Sequence, residues 1–107
     1  RRIGYDYDLL LYVANWPAVR RYPWQQLLRA RAIENLSYVA GVNRVGADGN
    51  GVSYAGDTAI VDFLGQPIAE LADSAGVVTA TLDLVRQRQF RQKFPAHLDA
   101  DRFRLEP

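Results

Sequence analysis

The stretch YDLLLYVANWP, residues 7–17, holds an unbroken apolar run from Leu9 to Ala14, the length of a typical strand. In a strand, successive side chains point to opposite faces, so Leu9 and Leu11 fall on one face and Leu10 and Tyr12 on the other. Apolar residues on both faces demand cover on both sides, which a single sheet with helices on one face cannot supply. The run ends on Asn15, Trp16 and Pro17: a polar amide, the largest aromatic and a chain stiffener. Trp16 there is either a core aromatic at a strand end or the rim of a pocket, and the residues alone leave both open.

The rest of the chain reads as an α+β arrangement. A strand over 8–15 leads into the loop PAVRRYP (17–23), bracketed by Pro17 and Pro23. Pro23 suits a first helical position, and Trp24, Leu27, Leu28 and Arg31 then share one stripe, so a helix is predicted over 23–36. SYVAGVNRV (37–45) is β-rich. The turn-dense GADGNG (46–51) precedes predicted strands at 53–63 and 67–72, which flank the turn LGQP. A further strand is predicted over 77–82. Asp83 is placed to cap a helix running to Lys93, and the tail 94–107 is read as extended and docked on a partner surface. The order β-α-β-β-β-β-α fits one sheet with helices on one face. The other face is left for a second sheet, from the remainder of a longer protein or from another copy.

Composition narrows the chemistry. One hundred and seven residues with 49% hydrophobic and 23% charged suit a single domain. A net charge of +1 argues against nucleic acid or a membrane surface as the main partner, and the basic run RQRQFRQK (86–93) reads as a solvated helix face. The chain has no cysteine, which excludes a disulfide, a thiolate metal site and a cysteine nucleophile within these residues. With a single histidine, His97, neither a Ser-His-Asp triad nor a His-rich metal site is expected, and no cofactor is implied. No apolar run approaches the roughly 20 residues of a membrane span. Because the chain contains no methionine and opens on Arg1 and Arg2, it is expected to be part of a longer protein.

Several side chains carry two readings. Arg31 and Glu34 are spaced i, i+3, as an ion pair that packs the helix or serves catalysis; Arg29 is off that ridge. Arg44 either reaches the mouth formed after the first strand or bonds carbonyls in the 46–56 loop. Asp48, Asp57 and Asp62 have no spacing that suggests a carboxylate pair or metal cage and read as turn residues. Gly46, Gly49 and Gly51 lack the Lys-Ser/Thr of a phosphate loop. His97 reads as a surface or interface residue.

Residues 23–46 resemble the second half of the nitrilase, or carbon-nitrogen hydrolase, superfamily. The resemblance is carried by Pro23 and Trp24, Leu27 and Leu28, ARAIEN (30–35), YVAG (38–41) and NRVG (43–46). YDLLLYVANWP before them and DGNGVSYAGDTAIVDFLGQPIAE (48–70) after them match too, and RQKFPAHLDADRFRL (91–105) is similar to the omega-amidase-type branch. It implies the C-terminal half of a four-layer α-β-β-α sandwich, occupying residues 1–107, with the N-terminal half absent. It also implies a Glu, a Lys and a Cys upstream that hydrolyse a small omega-amide such as 2-oxoglutaramate, so no catalytic residue falls in this chain. Further implications are a substrate-facing loop at Asn15, Trp16 and Pro17, and Arg20 as a fork for a substrate carboxylate, although an exposed surface arginine is the alternative. A cytoplasmic homo-oligomer paired through the helix at 23–36 is expected. The competing function is a non-catalytic nitrilase-like module for assembly or binding.

Overall fold

The computed structural model describes residues 6–107; Arg1 and Arg2 lie outside them. The apolar run forms β1 (Leu9–Ala14), followed by a 3-10 turn at Ala18–Arg20 and α1 (Arg21–Asn35). Then come β2 (Tyr38–Asn43), β3 (Val45–Ala47), β4 (Ser53–Ala55), β5 (Thr58–Val61), β6 (Pro67–Leu71) and α2 (Leu84–Lys93). Among the described residues β1, β2, β5 and β6 make one sheet in that order, and β3 and β4 a separate hairpin. β1 and β2 run parallel, pairing Leu9 with Tyr38 through Ala14 with Asn43, while β5 is antiparallel to β2 and β6 to β5. The β1-α1-β2 unit is the parallel crossover that a helix between two strands makes possible.

α1 covers one face of the sheet. Its buried residues are Trp24, Leu28, Ala32 and Asn35, which pack on Val39, Ala59 and Val61, with Leu10, Tyr12 and Ala14 at the margin. The buried line therefore follows i, i+4 from Trp24 and differs from the expected stripe: Leu27 and Arg31 sit at its edge. The reason is steric. Ala32 and Gly41 let helix and sheet approach until a Cβ on Gly41 would lie 2.6 Å from Leu28 Cδ1 and 2.9 Å from Trp24 Cζ2. Burying Leu28 and Trp24 contributes roughly 1.5–3 kcal/mol each relative to exposure.

The opposite face keeps the open aspect that the two-faced run of β1 predicted. Leu11, Val13 and Val42 are 65%, 88% and 50% exposed. α2 lies across the end of the sheet where β2 begins. Gln87 Nε2 donates to the carbonyls of Asp8 and Leu36, and Arg91 donates to Leu36 O, Tyr7 O, Ser37 Oγ and Asp8 Oδ1. Phe90 packs on Phe63, which meets Tyr38 edge-on. Asp83 caps α2 as expected, its carboxylate accepting from Arg86 N.

Four expectations need correction. α1 starts at Arg21, placing Pro23 within the first turn, where its missing N–H has no intrahelical acceptor to leave unpaired. The 37–45 and 53–63 strands each divide, the second at Gly56 and Asp57, both with positive φ. Residues 77–82 form no strand, because β6 is the last strand of the sheet and nothing pairs beyond it. The tail contains a 3-10 turn, Ala96–Asp99, and is otherwise irregular and exposed.

Candidate active-site wall

Parallel strands β1 and β2 release the chain at the same end, and the crevice outside the carboxyl ends of parallel strands is where open α/β sheets bind ligands. Asn15, Trp16 and Pro17 follow β1 there, and Arg44 follows β2. Asn15 is exposed, while Trp16 and Pro17 are half-buried. Pro17 O accepts from Arg20 N at 2.9 Å and closes the 3-10 turn.

Both hydrogen-bond donors of Trp16 are already committed. The indole Nε1 donates to Arg20 O at 2.6 Å, and the backbone N donates to Asn43 Oδ1 at 2.7 Å. The ring stands 5.9 Å from that of Trp24, and the two line one side of a small cavity with Tyr12, Leu27, Leu28 and Arg31. Trp16 therefore offers an apolar surface and no donor to a ligand. Arg20 meets Trp16 through its carbonyl, and its side chain is exposed.

Beneath the loop is a network the sequence did not announce. Asn43, at the last position of β2 and buried, donates from Nδ2 to Trp16 O and to Gly56 O, both at 2.9 Å. Its backbone N donates to Thr58 Oγ1 at 3.0 Å. Gly56 leads into Asp57, whose left-handed backbone (φ 55°) turns the chain between β4 and β5. Asp57 accepts two bonds from Arg21, 3.0 Å from Nε and 2.9 Å from the terminal nitrogen, and its carbonyl accepts from Trp24 Nε1 at 2.9 Å. The hydrogen bond to Asp57 also strengthens the hold of Arg21 on its proton. Loop, strand end, turn and helix start are thus joined in one ring. Asp57 was read as a turn residue, which is half its role. Its pairing with Arg21 spans 36 residues and leaves no local signature.

The remaining candidates resolve in structural terms. Arg31 pairs with Glu34 on the partly exposed rim of α1, and Arg29 faces Glu70 at 3.6 Å instead. Arg44 stacks 4.6 Å above the Tyr54 ring and reaches Ala47 O at 3.5 Å, the loop-carbonyl alternative. Asp48 holds the β3–β4 turn, its carboxylate kept below the usual range by the Val52 N–H, the Tyr54 hydroxyl and the Asn50 N–H; the same bond to Asp48 raises Tyr54. Asp62 accepts from Leu64 N and Gln66 N. Among the described residues no three acidic, His or Cys side chains are grouped to hold a metal ion, and no helix is long and apolar enough to cross a membrane.

Residues 6–92 match the carbon-nitrogen hydrolase family. The chain belongs to that family. As a carbon-nitrogen hydrolase chain it is 56% identical over 101 residues to a protein of Escherichia coli K12 named omega-amidase YafV, covering 94% of this chain and 40% of that one. A Bacillus subtilis 2-oxoglutaramate amidase is 36% identical over 92 residues, covering 86% and 35%. The crystal structure of a CN-hydrolase superfamily protein from Xanthomonas campestris, with an arsenic adduct in its active site, superposes with a TM-score of 0.91 at 56% identity, over 94% of this chain and 38% of that one. The chain spans about two-fifths of the length of the curated relatives it matches. The nitrilase-like fold and the omega-amidase likeness implied by its motifs are therefore sound.

Proposed function

We infer that residues 1–107 are the C-terminal part of an amidohydrolase that converts a small omega-amide, of the 2-oxoglutaramate type, to its acid and ammonia. The observation that carries this reading is the loop Asn15 to Pro17 at the carboxyl ends of two parallel strands, in a chain 56% identical to an omega-amidase. The chemistry would belong to a Cys, a Glu and a Lys upstream of this chain. The thiolate attacks the amide carbon, the Lys ammonium stabilises the tetrahedral oxyanion, and the Glu passes a proton to the departing nitrogen. Ammonia leaves as the C–N bond breaks, and water activated by the Glu then cleaves the thioester to the acid and the free thiol.

Within that scheme Trp16 and Pro17 form an apolar wall that excludes water, Asn15 offers its amide to the substrate, and Arg20 supplies a cation for the distal carboxylate. Two copies pair through α1, whose outer residues Tyr22, Leu27 and Ile33 are exposed. A cytoplasmic location suits a free thiolate nucleophile.

The direct test is the gene upstream of Arg1: a Cys codon shortly before it, with Lys and Glu codons further upstream, is expected. Their absence would leave a non-catalytic nitrilase-like module for assembly or binding. The 107-residue chain by itself is expected to release no ammonia from 2-oxoglutaramate, and turnover by a pure sample would refute the assignment of the chemistry to upstream residues.

A further inference from the structure

Asn43 is a buried amide whose side chain makes three hydrogen bonds among the described residues. All three of its bonds go to backbone: one from Trp16 N, one to Trp16 O, one to Gly56 O. The partners fix its orientation, since an N–H can only donate and carbonyls only accept. A single amide therefore grips one residue of the loop from both of its backbone polar groups and ties it to the turn before β5. That turn is itself held to α1 by Arg21 and Trp24. The parallel register brings Asn43 level with Ala14, two residues before Trp16, so the grip is made as the loop leaves the sheet.

We propose that Asn43 is a positioning residue for the substrate pocket: it sets the place and tilt of Trp16 by clamping that residue's backbone, and it touches no substrate itself. This rests on the reading of Trp16 as pocket wall. The physical argument is that a loop of Asn, Trp and Pro has few internal bonds to define it. The indole bond to Arg20 O stays within the same loop and travels with it, so among the described residues it is Asn43 whose hydrogen bonds refer Trp16 to the sheet, beside the ring's contact with Trp24. Asparagine alone fits this role at this size. Aspartate keeps the acceptor for Trp16 N, but its charged form turns a second oxygen toward two carbonyls.

The test uses the full-length amidohydrolase that carries this segment, labelled with 5-fluorotryptophan, with the Trp16 resonance assigned by its loss in Trp16→Phe. In Asn43→Asp and Asn43→Ala the Trp16 resonance should shift or broaden. KM for 2-oxoglutaramate should rise about tenfold or more, with kcat changed by less than about threefold, because uniform binding at the wall is lost. Asn43→Asp should recover part of both as pH falls and its carboxyl regains a donor proton; Asn43→Ala should not. A purely structural role would lower the yield of folded enzyme without that split or that pH response. An unmoved Trp16 resonance in both variants overturns the clamp. A moved resonance in an enzyme whose KM is unaffected by Trp16→Ala overturns the pocket reading, and the functional part of the proposal with it.

Discussion

Replacing Gly41 by alanine adds one methyl group where α1 meets the sheet. Its Cβ would stand 2.6 and 2.7 Å from the two terminal carbons of Leu28 and 2.9 Å from Trp24 Cζ2, about 1 Å inside the usual carbon–carbon separation of roughly 3.5–4.0 Å. Leu28 is 3% exposed and borders two cavities, so its branch can clear the methyl only by leaving its packed place against the sheet. Trp24 is equally confined, since its Nε1 is bonded to Asp57 O and its other side meets Trp16. Relief comes from turning the Leu28 branch out of its place or moving α1 outward, and overpacking of this kind costs roughly 1–3 kcal/mol. Against it stands about 0.5 kcal/mol gained by replacing glycine in a strand. A net loss of about 0.5–2.5 kcal/mol should lower the melting temperature by roughly 2–20 °C for a chain of this size.

Urea and thermal unfolding followed by tryptophan fluorescence would measure it, with Leu28→Ala and the double variant completing a cycle. Leu28→Ala alone should cost roughly 2–5 kcal/mol. The double variant should cost less than the sum by at least about 1 kcal/mol, because the new methyl enters the space vacated. A Gly41→Ala protein as stable as the parent, or additive costs in the cycle, would refute the claim that glycine is needed for the close approach.

Arg91→Ala removes four donations at the joint between α2 and the start of the sheet; a loss on the order of 3 kcal/mol is expected, with hydrogen exchange quickening first in α2. For Asp48 the folded pKa lies below its ordinary 3.8, so its contribution to the β3–β4 hairpin is complete above that value and is lost as pH falls through the lower folded one. Tyr54, raised above 10.0, contributes below that value and is lost as pH climbs past its folded one. Protection factors of the Asn50 and Val52 amides, corrected for the intrinsic pH dependence of exchange, should therefore be highest between these limits, and Asp48→Asn should flatten the acid limb. The 107-residue chain should bind a hydrophobic dye through the face of Leu11, Val13 and Val42; Leu11→Lys with Val13→Lys should abolish that signal, and dye binding that persists would place the apolar surface elsewhere.

Local signals were the legible ones. The run from Leu9 to Ala14 specified β1 and its need for two layers, Asp83 announced the start of α2, and the apolar spacing from Trp24 announced α1. Residues 77–82 show the limit of such signals. Their composition favours a strand, yet a strand exists only where a neighbour supplies the ladder. The break at Gly56 and Asp57 was hidden because the strand-like residues on either side look continuous unless the left-handed turn is seen. The site divided the same way. Asn15, Trp16 and Pro17 were visible as an odd strand ending, whereas the hold on them comes from Asn43, 27 residues away, and from Arg21 pairing across 36 residues. Spacing carries no trace of such distant pairs. The family resemblance supplied the proposed chemistry, which the residues present could not.

The joint at α2 has a consequence for how this chain tolerates change. Gln87 and Arg91 meet mostly main-chain carbonyls, those of Tyr7, Asp8 and Leu36. Every residue type carries such a carbonyl, so the receiving side of the joint is nearly blind to sequence. Tyr7 can drift without undoing it, provided the backbone path persists, whereas Asp8 also offers its carboxylate to Arg91. The donating side has no such freedom: two side chains one helical turn apart make these bonds, beside the contact of Phe90 with Phe63. Related chains should therefore be read for Gln and Arg at that spacing as well as for an apolar residue at the position of Phe90, because long polar reach fastens this helix beside its aromatic contact.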